Sequence, residues 1–227
     1  MMMNLKLKQS AFSFATLLAC ACLSYPLSAQ ASALNGVAVE ATNGHMLALQ
    51  QVSTNNAAED FVRRMAEDGT GFLADKSLSA SQKSEKFSTL LNRNFDLDVI
   101  GKFSLGRYWK QMNPAQQKEY LKLFKKMVIG VYTRRFDDYQ GQEVEVVGST
   151  EIPGTKDTMV KSKIIQPDGT TPVEVDWRVS TKSGSPRIID VLVAGVSMSV
   201  TQRSDFASVI QRGGGDVEVL LDHLRKK

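Results

Sequence analysis

Two cysteines and two histidines are all that the 227 residues contain. Cys20 and Cys22 both fall in the first two dozen residues, inside a segment that reads as removable, so what remains has no disulfide, no thiolate nucleophile and no cysteine metal site. His45 and His223 stand near opposite ends of the rest of the chain, read as solvated surface residues, and leave little for a histidine metal site or a catalytic triad. No catalytic residue and no metal or other cofactor is therefore expected. Glycine forms no phosphate-binding loop, because Gly213, Gly214 and Gly215 follow no strand. Charge of one sign is scarce: removing Lys6 and Lys8 takes the formal +4 to about +2, without the basic bias that nucleic-acid binding requires. No later stretch approaches the ~20 apolar residues of a membrane-spanning helix.

What is there begins with an export signal. MMMNLKLKQSAFSFATLLACACLSYPLSAQASA places Lys6 and Lys8 before an apolar run from about Ala11 to Leu23 and ends on the small-residue tripeptide Ala31, Ser32, Ala33. Residues 1–33 are expected to be a cleaved signal peptide, with Ala31 a rival site. The box Leu17, Leu18, Ala19, Cys20 fits lipidation poorly. Residues 34–55, rich in Ala, Asn, Gln, Gly and Thr, read as a flexible leader, and residues 56–227 as the folded domain.

From about Asn56 a helical period carries Phe61, Met65, Phe72 and Leu73. Ser79 and Gln82 open a second helix that buries Phe87, Leu90 and Leu91, and Phe95 to Trp109 reads as short helices with tight bends. In SLGRYWKQMNPAQQKEY, Asn113 and Gln116 form a capping box with Pro114 in the first turn. The helix beyond it carries Tyr120, Leu123, Phe124, Met127, Val128, Val131 and Tyr132 on one stripe, with Lys118, Lys122, Lys125 and Lys126 largely off it.

After Tyr139 the period becomes two. Val144 and Val146, Met159 to Gln166, Val173 to Ser180 and Ile188 to Val193 read as four antiparallel strands, with a turn at Pro167, Asp168 and Gly169. Helices are expected at Gln202–Gln211 and near Asp216–Leu224. The fold class is α+β: N-terminal helices packed on a curved four-stranded antiparallel sheet, C-terminal helices, and an apolar cavity between the layers. Asp176 and Asp190, on neighbouring strands, are the best candidates for an acid/base pair, and both read more readily as structural or solvated.

The ordered blocks carry a resemblance. SLGRYWKQMNPAQQKEYLKLFKKMVIGVY, VEVDWRVS at 173–180, IIDVLVAGVSM at 188–198 and QRSDFASVIQRGGGDVEVLLDHL at 202–224 are similar to the blocks of the periplasmic phospholipid carriers of the MlaC, or toluene-tolerance, type. The sequence departs from the family pattern at Ser185, Pro186, Arg187 and Ile188, where an aromatic before the fourth strand is usual, and at Ala194, where Glu is frequent. The resemblance implies a periplasmic lipid carrier that is not an enzyme. It implies three partners: phospholipid, an outer-membrane lipoprotein complex, and the substrate-receiving subunit of an inner-membrane ABC transporter. Docking on the membrane complexes would be transient, the role maintenance of outer-membrane lipid asymmetry, and no nucleic acid is involved. The alternatives are a hopanoid-associated accessory protein, or a small cone-fold enzyme using a pocket carboxylate such as Asp190 on an apolar substrate.

On this reading the lipid-binding candidates are Tyr108, Trp109, Tyr120, Phe124, Met127, Val128 and Val131 from the helices, with Val175, Trp177 and Val179 from the sheet. Arg107 is expected either to pair with a carboxylate or to meet the head-group phosphate at the mouth.

Overall fold

The computed structural model describes the backbone from His45 and the side chains from Ala57 to Lys227, so the expected signal peptide and residues 34–44 lie outside the described residues. Six helices and one sheet follow in order: α1 (His45–Ala74), α2 (Ala80–Asn94), α3 (Leu97–Leu105), a 3-10 turn (Gly106–Gln111), α4 (Pro114–Thr133), a second 3-10 turn (Phe136–Asp138), β1 (Glu143–Glu151), β2 (Asp157–Ile165), β3 (Val173–Ser180), β4 (Arg187–Val193), β5 (Val196–Ser197), α5 (Met198–Arg212) and α6 (Glu218–Arg225). Helix α1 begins at His45, so its backbone runs through part of the stretch 34–55 expected as a leader.

The caps sit where side-chain chemistry demands them. Gln82 N donates to Ser79 Oγ while Ser79 N donates to the Gln82 side chain, and Asn113 and Gln116 make the same reciprocal pair before Pro114. Between α3 and the 3-10 turn stands Gly106, at φ +58° and ψ −130°, where a Cβ would meet Arg203 Nε at 2.6 Å. Only glycine fits that bend, which turns the chain out of α3 and into Arg107, Tyr108 and Trp109.

The sheet is antiparallel throughout, in the order β1-β2-β3-β4-β5. It has five strands, not the four expected, because Ala194 and Gly195, both at positive φ, reverse the chain so that Val196 and Ser197 pair back on β4. A two-residue strand offers no periodicity to read. Val175, Trp177 and Val179 alternate inward on β3, opposite Ser162, Val160 and Thr158 of β2 respectively. Register slips at Val146/Gly148 in β1 and at Arg178/Val179 in the β3–β4 pair, irregularities of the kind that bend strands and curve the face toward the helices.

Two buried clusters result, not one. Ala58, Val62 and Met65 of α1 pack with the inner face of the sheet. Leu105, Tyr108, Met112, Tyr120, Phe124, Phe206, Ile210 and the α6 leucines form a separate helical core. Polar ties hold the helices to the sheet: Ser149 Oγ donates to Glu59 of α1 (2.8 Å), Asp96 N to Ile188 O (2.9 Å), and Arg187 to Asn92 O (3.2 Å).

At one end of the sheet Asp157, only 2% exposed, accepts both Nε (3.0 Å) and Nη2 (2.6 Å) of Arg178 on its Oδ2. Burial pushes this carboxyl up, but Ser180, Arg178 and Lys182 outweigh it and hold it below the ordinary value of 3.8. Its contribution is whole above that ordinary value and is lost as pH falls through the lower folded one. Arg178→Ala, which leaves a buried carboxylate without its main partner, is expected to cost about 3 kcal/mol in urea unfolding, and Asp157→Asn added to it to recover part of the loss.

Candidate functional site

Between the two cores lies a cavity of about 890 Å³ that is mostly apolar in its lining. Its walls come from every layer. Helix α1 contributes Met65, Gly69, Phe72 and Leu73; α2 contributes Phe87, Leu90 and Leu91; α3 contributes Leu97, Ile100 and Ser104. The stripe of α4 supplies Phe124, Met127, Val128, Val131 and Tyr132, and α5 supplies Phe206 and Val209. The sheet presents Val144, Ile164, Val175, Trp177, Val191 and Val193. The polar edge of Trp177 does not break this surface, because its Nε1 donates to Ser162 Oγ (2.9 Å), which donates in turn to Val175 O (2.7 Å).

The cavity is unlike at its two ends. One gathers aromatic rings: Phe136 lies edge-on to Phe72 at 6.2 Å and to Phe87 at 5.3 Å, and Phe87 meets Tyr132 at 5.7 Å. Burial pushes the Tyr132 phenol up to about 12, so this ring stays uncharged at any physiological pH. The other end is rimmed by exposed residues of α5 and the C-terminal segment, Ser208, Arg212, His223 and Lys227, while Ala194 and Val196 border the cavity at the sheet edge, beside the start of α5. Helix α6 is tied to the N-terminal half of α4 by Arg225, which donates to Glu119 (2.8 and 3.0 Å), while Tyr132 stands thirteen residues further on, roughly 20 Å along the helix axis.

Of the residues expected to contact lipid, Phe124, Met127, Val128, Val131, Val175 and Trp177 line this cavity. Tyr108, Trp109, Tyr120 and Val179 do not. Tyr120 is fully buried in the helical core, packs at 6.3 Å from Trp109 and 6.0 Å from Phe206, and donates its hydroxyl to Gly101 O at 2.8 Å. Tyr108 and Trp109 belong to that same core, and Val179 sits 1% exposed beneath α1. Arg107 neither pairs with a carboxylate nor reaches the mouth: it is exposed, stacks 5.1 Å over the Tyr108 ring and donates to its hydroxyl at 3.1 Å. The bend at Gly106 carries Tyr108 and Trp109 into the helical core, away from the cavity.

Asp190 lines the cavity but is engaged at both oxygens, accepting from Ser199 N (3.1 Å) and Val191 N (2.9 Å) on one and from the Ser197 hydroxyl (2.6 Å) on the other. It holds the β4–β5 turn to the start of α5. Asp176 stands between inward-facing Val175 and Trp177, hence on the opposite face of β3, where burial raises its carboxyl. Among the described residues no three His, Cys, Asp or Glu side chains converge as a metal site would require.

Sequence reasoning did not single out the walls from α1, α2 and α5, nor the charged rim. The signal for the first was present, since Met65, Phe72, Phe87 and Leu90 repeat at helical spacing. A periodic stripe marks a face turned inward and does not say whether it meets another side chain or a void.

A family profile described as MlaC protein matches residues 63–226. Over 123 residues, 53% of this chain, the sequence is 25% identical to the intermembrane phospholipid transport system binding protein MlaC of Haemophilus influenzae, and the match spans 58% of that protein's length. A solved structure of the phospholipid-binding protein from Ralstonia solanacearum in complex with a phospholipid superimposes with a TM-score of 0.64 at 25% identity, covering 74% of this chain and 95% of that one.

Proposed function

This chain belongs to the MlaC protein family, and from that premise we propose that it is a lipid carrier that holds the acyl chains of a phospholipid between its two cores. The observation that carries the reading is the cavity itself, whose volume of about 890 Å³ falls at the upper end of the range for ligand pockets, ~300–1,000 Å³. Space of that size between an α-helical core and a sheet core is costly to leave unfilled, because each lining side chain forgoes its packing partners. A pair of fatty chains restores those contacts.

Two acyl chains present about 30 methylenes, and at ~0.8 kcal/mol each their exposure to water would cost on the order of 24 kcal/mol. Release into water is therefore too slow to serve transport, and transfer proceeds directly from one apolar groove to another. The chains are about equally stable in bilayer and cavity, so the carrier sets no direction by itself. An energy-coupled partner does.

In full, residues 1–33 direct export to the periplasm, and residues 56–227 are the carrier domain. That domain exchanges phospholipid between an outer-membrane lipoprotein complex and the substrate-receiving subunit of an inner-membrane ABC transporter, and so maintains outer-membrane lipid asymmetry. The role is binding, not catalysis. The full engagement of Asp190 supports this against an enzyme that would use it. Among the described residues no helix is long and apolar enough to cross a membrane.

Organic-solvent extraction of the purified protein, followed by mass spectrometry, is expected to yield phospholipid in near-stoichiometric amount. Recovery of a hopanoid would assign the accessory role instead, and recovery of no lipid would overturn the carrier reading.

A further inference from the structure

The rim of the cavity has a chemistry that the apolar walls lack. Arg212 on α5, His223 on α6 and the terminal Lys227 all line it and are all exposed. None of the three has an ion-pair partner among the described residues, whereas Arg225, on the same short helix, is saturated by Glu119, Glu218 and Asp222. Their proximity is visible in His223, which is lowered from its ordinary value first by burial and then by the fields of Lys227, Lys226 and Arg212. The acid lining the same end is Asp205, whose carboxyl burial raises against the opposing effect of Lys227. At the aromatic end the cation is Arg135, which already has an interaction partner. Arg212 and Lys227 thus set two cations against one acid at this mouth of an otherwise apolar hollow, with the His223 imidazole as a further donor, and an anion placed there would be held by charge-assisted bonds while its apolar portion stayed inside.

We infer that Arg212, His223 and Lys227 form the receiving site for the phosphodiester of the bound lipid, which fixes the lipid with its head group at the α5–α6 rim and its chain ends toward Phe72, Phe87 and Phe136. The inference rests on the carrier reading above and deepens it. It also moves the head-group contact from Arg107, which the fold turns away, to a group of which sequence analysis read His223 only as a solvated surface residue.

The test compares the wild-type chain with the Arg212→Gln/Lys227→Gln double variant, which alters two exposed side chains without ion pairs. Each protein, stripped of lipid in nonionic detergent, is offered equal amounts of dioleoyl phosphatidylglycerol and dioleoylglycerol, and the bound species are read by native mass spectrometry. The wild type is expected to favour the phosphate-bearing lipid by roughly tenfold, and the variant to load both near parity. A variant that keeps the wild-type ratio overturns the rim site while leaving the carrier standing; a wild type that loads neither lipid overturns the carrier reading, and the rim site with it. NMR titration of His223 separates the two sources of phosphate. Its pKa is expected to rise when phosphatidylglycerol is bound and to stay unchanged with dioleoylglycerol. An equal rise in the lipid-free protein with inorganic phosphate would assign the rim to the free anion and overturn its role in lipid recognition.

Discussion

Val128→Trp is expected to purify folded and almost empty of lipid. Val128 stands in the α4 wall beside Phe124 and Met127, half-buried because it faces the cavity and not another side chain. Enlarging a residue in a packed core typically costs ~1–3 kcal/mol in strain. Here the indole has a void to enter, so thermal stability should hold or rise slightly. The loss falls on the ligand: an indole that displaces about four methylenes removes ~3 kcal/mol of binding, more than a hundredfold in occupancy ratio. Lipid per protein by native mass spectrometry and the thermal midpoint, measured on one preparation, decide it. A stable variant that carries a full lipid load would show that this face of α4 does not meet the chains, and the cavity assignment would fall with it.

Tyr120→Ala should do the reverse, with stability failing first. Tyr120 has no exposed surface, contacts the rings of Trp109, Phe124 and Phe206, and caps the arrangement with its bond to Gly101 O. The approach of α3 and α4 at that point is close, since a Cβ on Gly101 would lie 3.1 Å from the side chains of Leu121 and Phe124, which would have to give by a few tenths of an ångström. Truncating so large a buried aromatic costs about 4 kcal/mol, a major fraction of the ~5–15 kcal/mol that holds an ordinary domain together. Tyr120→Phe retains the ring and forfeits one buried hydrogen bond, about 1 kcal/mol. Its lipid content should equal that of the wild type. If Tyr120→Phe instead lost lipid at undiminished stability, the hydroxyl would have to face the ligand, and the placement of Tyr120 in the helical core would be wrong.

These two side chains show where sequence reasoning succeeds and where it stops. Val128 and Tyr120 lie on one stripe of α4, eight residues apart, and periodicity assigns both an inward direction. Only the third dimension distinguishes a direction that ends at Phe206 from one that ends in space. The caps at Ser79 and Asn113, the long strands and the layered α+β order are local matters of side-chain chemistry and period, and they were legible for that reason. Strand β5 was not, because it consists of two residues whose pairing depends on the positive-φ turn at Ala194 and Gly195. Arg107 was misplaced for a similar reason: its role follows from the direction the backbone takes at Gly106, set by ψ as well as by residue type. The cationic rim draws Arg212, His223 and Lys227 from three points of the C-terminal quarter, and no linear spacing announces that they share one opening.

The sheet's two margins have a consequence for life at high concentration. A curved layer kept partly apart from its helices resembles a half-open book, and such layers tend to recruit a strand from a neighbouring molecule. Here one margin, β1, is interrupted by the irregularity at Val146/Gly148 and carries Glu143, Glu145 and Glu151, while the other is the two-residue β5, too short to template an addition. The protein can therefore keep its interior open to greasy cargo without offering its own backbone as a seed for polymers.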